Sequence, residues 1–262
     1  MTITFFKYQG TGNDFIMVNA IDKDVILEPL QIKRLCDRKF GIGADGIILI
    51  KPDLKTDFYV DYYNPDGSQS FCGNGSRCAV SFAYAEHVFE GKTCSFNAID
   101  GTHTGEVLDI DNIEISMSDV EGIEEIDSDF VLDTGSPHFV RRCSALKELD
   151  IIPEARKVRY NQRFSEQGIN VNFISQNGSE IHMRTYERGV EDETLSCGTG
   201  VTAAALSSVS EDGVYSRKII TKGGGLMVNF KKSGDLFQTI RLQGAAKFVF
   251  SGLVNLTKIA LK

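Results

Sequence analysis

Two short strings constrain this chain more than anything else in it. Cys72-Gly73-Asn74-Gly75 and Cys197-Gly198-Thr199-Gly200 stand 125 residues apart in a chain of 262. A second echo lies upstream, where Thr11-Gly12-Asn13 is answered by Thr134-Gly135-Ser136 at an offset of 123. Two echoes at nearly one offset, close to half the length, describe a duplicated chain. The small-residue stretches after the cysteine turns, 76–89 and 200–209, are nearly apolar all round, as buried helices are. A third helix is expected at 29–40, with Leu30, Ile32, Leu35 and Cys36 as its apolar face. Elsewhere β-branched and aromatic residues, bounded by Gly, Asn and Asp, predict strands at 3–8, 15–19, 46–50, 57–63 and 113–117. The second half repeats the pattern at 171–175, 180–186, 218–221, 226–230, 239–242 and 247–250. The expected fold class is α/β (α+β): two pseudo-symmetric domains, each a curved mixed β-sheet around a buried central helix. The N-terminal half is placed at 1–117, with 247–262 returning to it, and the C-terminal half at 118–246.

Charge narrows the partners. Asp and Glu number 36 against 28 Lys and Arg, a net charge of −8, which disfavours nucleic acid and anionic lipid surfaces. No apolar run approaches the ~20 residues of a membrane span, and the N-terminal stretch lacks the basic and apolar regions of a secretion signal. Six cysteines in a chain this long do not read as a disulfide scaffold, so a reducing cytoplasm is the expected compartment.

A cysteine at a helix N-terminus sits where unpaired backbone N–H groups and the helix dipole favour its thiolate. The same N–H groups can hold a carboxylate, and the glycines let that anion approach the backbone. A single turn of this kind is more often plain structure; two of them, in halves that face one another, have a use. One thiolate can take a proton from a carbon while the opposed thiol returns one on the other face, inverting the stereocentre. Other chemistries fit less well. Residues 41–46 match G-x-G-x-x-G, but a helix precedes and a strand follows, the reverse of a dinucleotide site. The four histidines are scattered without metal-ligand spacing. A thiol hydrolase could use His138, but would leave the second cysteine turn idle. Glu187-Arg188 is either a solvated charged turn or a pair that meets the ammonium and carboxylate of an amino acid.

Taken in order along the chain, Gly10-Thr11-Gly12-Asn13-Asp14-Phe15, Asn64 with Asp66-Gly67, Cys72-Gly73-Asn74-Gly75, Pro137-His138, Asn170, Glu187-Arg188-Gly189 and Cys197-Gly198-Thr199-Gly200 resemble the diaminopimelate epimerase family. The resemblance implies a cofactor-independent enzyme that interconverts LL- and meso-diaminopimelate for lysine and cell-wall synthesis. It also implies a homodimer. Carried over by position, Cys72 and Cys197 are the proton-transfer thiols. Asn13, Asn64, Asn170 and Glu187-Arg188 bind substrate, and the backbones of Gly73-Asn74 and Gly198-Thr199 hold the α-carboxylate. His138 and Glu187 assist proton transfer or orient the amino group. Four positions depart from the family pattern: Ser136 replaces an asparagine, Gly46 a glutamine found in some members, Ser165 a proline often seen before the Asn170 segment, and Phe250 a tyrosine associated with dimer contacts. Two rivals stay open, a proline-type racemase with the same paired thiols and a non-catalytic small-molecule binding protein of the same fold.

Overall fold

The computed structural model describes residues 1–260 and divides into two compact units, 1–115 with 244–262, and 116–243. Unit 1 begins with a hairpin, β1 (Thr2–Gly10) and β2 (Asn13–Asn19), closed by a two-residue turn. Thr11 and Gly12 both have positive φ, 51° and 85°, which suits the right-handed twist of the strands they join. A helix α1 (Pro29–Cys36) carries the chain over to β3 (Gly46–Lys51), parallel to β2, and β4 (Phe58–Tyr63) returns antiparallel. Helix α2 (Gly73–Ala85) then leads to β5 (Thr93–Ala98), parallel to β4, followed by antiparallel β6 (Gly101–Asp109) and β7 (Asn112–Ser116).

Unit 2 repeats that grammar. After the short β8 (Val120–Glu121) and β9 (Glu124–Ile126), β10 (Asp129–Asp133) and β11 (Pro137–Arg142) form the hairpin. Helix α3 (Ile151–Arg159) crosses to β12 (Asn170–Asn177), parallel to β11, and β13 (Glu180–Glu187) returns antiparallel. A short β14 (Asp192–Thr194) precedes α4 (Gly198–Leu206). Then β15 (Gly213–Thr221) runs parallel to β13, and β16 (Gly224–Ser233) antiparallel to β15. Both units therefore read hairpin, helical crossover, hairpin, buried helix, parallel strand, antiparallel strand. From β17 (Leu236–Ala245) the chain passes to β18 (Lys247–Asn255), which lies antiparallel on β1, and ends in α5 (Leu256–Ala260).

Helices α2 and α4 are buried as the apolar patterns predict. Every residue of α4 is buried, and so is α2 from Gly73 to Ala83. Each enclosed Val, Leu or Phe along them contributes roughly 1.5–3 kcal/mol. The helices begin three and two residues earlier than the expected 76 and 200, because Cys72 and Cys197 are themselves the N-caps and the glycines lie inside the first turn. In α1 the expected face needs one correction. Ile32, Leu35 and Cys36 are buried, but Leu30 is 63% exposed. Two residues from Ile32 is about 200° around a helix, which points Leu30 to solvent. The 41–46 string is a turn, its backbone N–H groups folded onto the carbonyls of Leu35, Cys36 and Asp37, with Gly43 at φ 83°.

Candidate active site

In unit 1 the elements around α2 bring Asn13, Cys72 and Asn74 together. The Asn13 amide N–H donates to Asp45 Oδ2 at 2.7 Å, which turns its carbonyl oxygen toward Cys72 Sγ at 3.7 Å and Asn74 Nδ2 at 3.3 Å. Asp45 is itself gripped by Arg38 (2.8 Å), and Arg38 reaches Asp14, which pairs with the buried Lys7 at 2.7 Å. Burial alone would raise the Asp14 pKa. Hydrogen bonds from Arg38 and Lys7 outweigh it and hold the carboxyl well below the usual carboxylate range. Asn13 is thus set by a line of charges beneath the turn. Asn64 faces the next loop. It accepts from the Tyr62 hydroxyl at 2.8 Å, and its amide N–H groups donate to Ser68 and Ser70. Gly46 has no room for a side chain, since a Cβ there would lie 2.4 Å from the Tyr62 ring. Tyr62 was not singled out from sequence, although it is the group that fills that space.

Backbone N–H groups open the first turn of α2, where no acidic side chain stands, and Gly75 N–H points at Cys72 Sγ at 3.4 Å. Helix α4 likewise has no acid in its first turn. Each helix start can hold an anion, with Gly73-Asn74 and Gly198-Thr199 supplying the amides.

In unit 2 the sequence-predicted residues Cys197, Thr199 and His138 are in sequence of contact. Thr199 Oγ1 lies 3.4 Å from Cys197 Sγ and 2.9 Å from His138 Nε2. The direction of these bonds follows from Asn172. Its amide N–H donates to the Phe139 carbonyl and to His138 Nδ1, both at 3.1 Å, while its oxygen accepts from the Thr185 hydroxyl at 2.9 Å. A neutral imidazole that accepts at Nδ1 carries its proton on Nε2. His138 therefore donates to Thr199, and the Thr199 hydroxyl is left to donate to Cys197 sulfur. Burial drops the His138 pKa to about 3, with the nearby positive charge of Arg188 a smaller cause, so the ring is neutral. Asn172 and Thr185 were not singled out from sequence; only the polar residues inside an otherwise apolar strand, Asn170-Val171-Asn172-Phe173, could have flagged the first.

Asn170 is buried. Its amide donates to Ser136 Oγ (2.9 Å) and the Pro137 carbonyl (3.0 Å) and accepts from Arg188 N–H (2.9 Å). It ties the hairpin turn to the end of β13, where Glu187 is followed by Arg188. The Arg188 side chain lies at the surface against the Gln167 carbonyl and Ser136. Among the described residues, no group of three or more His, Cys, Asp or Glu side chains is gathered as a metal centre.

The two thiols rest on unlike floors. At the third position of α2, Gly75 packs on Ile48 and Phe15; at the third position of α4, Gly200 packs on Asn172 and His138. The counterpart of His138 in unit 1 is an apolar ring.

A neutral buried histidine has a pH consequence. In the unfolded chain it takes a proton near pH 6.5, in the fold only near pH 3, so between these values the unfolded state binds more protons. Stability present above pH 6.5 is therefore lost as pH falls. Between pH 6.5 and 5 the wild type is expected to lose about 2 kcal/mol more than His138→Gln. Urea unfolding at the two pH values measures it; equal losses would show that the ring is not held neutral.

Comparison with known proteins follows the same duplicated frame. The family model described as diaminopimelate epimerase matches residues 5–122 and 130–249. A diaminopimelate epimerase from Flavobacterium psychrophilum is 46% identical over 253 residues, covering 94% of this chain and 97% of that one. One from Chlorobaculum tepidum is 38% identical over 259 residues, covering 94% and 99%. Among solved structures, a Bacillus anthracis phenazine biosynthesis protein of the PhzF family superposes with a TM-score of 0.73 at 14% identity, covering 97% and 99%. A hydroxyproline epimerase from Agrobacterium vitis gives 0.70 at 13%, covering 97% and 92%. These two share the fold. The family match spans both halves, and the curated relatives align along nearly their whole length: the chain belongs to the diaminopimelate epimerase family.

Proposed function

We propose that this protein inverts the α-carbon of LL-diaminopimelate to give meso-diaminopimelate, serving lysine and peptidoglycan precursor synthesis, with neither metal nor organic cofactor. The observation that carries the reading is the repeated one: in each unit, a cysteine that follows the second hairpin caps a buried helix whose first turn is free of acids. Inverting a tetrahedral carbon needs a proton acceptor on one face and a donor on the other, and two thiols of like kind meet that need. One thiolate takes the α-proton; the other thiol protonates the opposite face; the roles exchange with the isomer bound. The α-proton of an amino acid is a very weak acid. Amide N–H groups of Gly73-Asn74 and Gly198-Thr199, aimed at the α-carboxylate, would stabilise the charge that develops as it leaves. Asn13 and Asn64 receive polar groups of the substrate, Glu187 and Arg188 its charged termini. Asn170 receives a polar group of the substrate as well, and its hydrogen bonds keep Ser136 and the Arg188 backbone in place. His138 acts through Thr199: as a fixed neutral donor it steadies the Cys197 thiolate rather than taking the proton itself.

We extend the proposal to a cytoplasmic homodimer. Strand β18 lies on β1 and exposes Phe248, Val249, Phe250 and Leu253, apolar side chains that suit a second copy of the chain. The 18-residue apolar helix a membrane span requires is absent among the described residues.

The deciding experiment is solvent-hydrogen exchange at Cα with pure LL-diaminopimelate in heavy water. Deuterium at Cα together with the appearance of the meso isomer is the expected result. Turnover of proline with none of diaminopimelate would favour the racemase; binding without exchange would favour a non-catalytic binding protein.

A further inference from the structure

Among the described residues, Arg77 is the largest fully buried side chain that carries a charge, and it has no acidic partner there. It sits five residues beyond Cys72 on α2 and folds back toward the helix start, as helical side chains do. One terminal nitrogen donates to the Gly73 carbonyl at 3.3 Å; the other donates to Asn74 Oδ1 at 2.9 Å and Thr11 Oγ1 at 3.3 Å. Its Nε has no hydrogen-bond partner among the described residues. The groups that act on it electrostatically are two thiols, Cys78 and Cys72, and no carboxylate. Burial lowers its pKa to about 10, so it remains a cation at neutral pH. A buried, unmatched positive charge is expensive to keep. It is tolerable if an anion arrives beside it.

The position equivalent to Arg77 in unit 2 is Thr202, whose hydroxyl donates to the Gly198 carbonyl at 3.1 Å. One helix start thus has a cation behind it, the other a neutral hydroxyl. The floors differ in the opposite sense, apolar under Cys72 and hydrogen-bonding under Cys197. We propose that Arg77 is the counter-charge of the Cys72 thiolate, a positioning residue that does for Cys72 what the chain from His138 through Thr199 does for Cys197. The inference rests on the reading above, in which Cys72 exchanges a proton with substrate. The elements packed against α2 carry further titratable groups, Lys7 and Tyr8 on β1, Asp14 on β2, Lys51 on β3, Tyr62 on β4, His103 on β6 and Lys247 on β18, beside Cys78 on the helix itself. Burial pushes both Cys78 and Tyr8 up to about 12, so neither supplies an anion, and the Asp14 charge is already matched by Lys7 and Arg38. That leaves Cys72, or a carboxylate held at its helix start, as the partner.

The test is iodoacetamide labelling of the whole, substrate-free protein across pH, with Cys72 and Cys197 read separately by peptide mass spectrometry. In Arg77→Met the midpoint for Cys72 is expected to rise by about one pH unit or more, roughly a ten-fold loss of labelling near neutrality. Cys197 keeps its midpoint, Arg77→Lys restores that of Cys72, and the thermal midpoint of Arg77→Met holds or rises because an unmatched charge is gone. A Cys72 midpoint unmoved in folded Arg77→Met overturns the proposal, as does an equal shift at both cysteines. If neither Arg77→Met nor Arg77→Gln folds while Arg77→Lys does, the charge is structural and the proposal fails. The labelling needs no substrate, so its outcome is separate from whether diaminopimelate is epimerised.

Discussion

Replacing either thiol is expected to stop inversion. Cys72→Ala and Cys197→Ala should each lower the rate of epimerisation by about 10³-fold or more, at the upper part of what removal of a positioned acid or base does. Stability should move far less, because each change removes one sulfur from the end of a helix whose packing is carried by residues further along. The signature lies in what survives. A variant with one thiol can still take a proton from the isomer whose α-hydrogen faces it, and hand a solvent proton back to the same face. Each variant is therefore expected to exchange the Cα hydrogen of one isomer without inverting it, and the two variants should prefer opposite isomers. Measuring deuterium incorporation and isomer composition together distinguishes this from a merely damaged enzyme. Wild-type turnover in either variant would refute the two-thiol reading.

The duplication was legible because it is written in residues that backbone geometry demands. Glycines at a helix start and a threonine–glycine hairpin turn recur wherever the same bend recurs, so the echoes mark equivalent points of the two units. Burial of α2 and α4 followed from their lack of any polar face. Helix α3 escaped notice although Ile151, Ala155 and Val158 make a fair buried stripe, because Pro153 and five charged neighbours mask it. Proline in the first turn is compatible with a helix. The duplication itself supplies the missing hint, since the crossover from β2 to β3 already contains a helix. Strands β5 and β6 were missed for another reason: Thr93–Asp109 alternates buried residues with Thr, Glu and Asn, and its inward positions include Gly105 and His103 rather than a run of branched apolar residues. The thiols and asparagines of the candidate site stand in short strings that the sequence displays. Its supports do not. Asp45, Tyr62, Asn172 and Thr185 act across strands, and Arg77 reads in sequence as an ordinary helical arginine. Pairwise registers decide these, and no local pattern encodes them.

Gly200→Ala is expected to be the most damaging single methyl in unit 2. Alanine is the better helix former by about 1 kcal/mol, so propensity alone predicts a small gain. Packing opposes it. A Cβ at position 200 would lie 2.7 Å from Asn172 Oδ1 and 3.3 Å from His138 Cε1. That amide cannot easily give way, being held by the Thr185 hydroxyl on one side and by the Phe139 carbonyl on the other. Overpacking of this kind costs roughly 1–3 kcal/mol, which outweighs the propensity gain. The motion that relieves the clash also pulls the donor away from His138 Nδ1 and with it the order of bonds that ends on Cys197. A displacement of about 1 Å at such a group can lower a rate by about 10²-fold, and that is the loss expected here. Gly75→Ala is the built-in control. Its new methyl would meet the Ile48 side-chain tip at 3.0 Å and the Phe15 ring edge at 3.4 Å, apolar atoms that can shift by a few tenths of an ångström, and its 3.4 Å contact with Cys72 Cβ is matched by that of Gly200→Ala with Cys197 Cβ. It should keep more stability and more activity than Gly200→Ala, by calorimetry and by rate. Gly200→Ala as stable and as fast as the wild type would mean that Asn172 and His138 do not hold the geometry on which Cys197 depends.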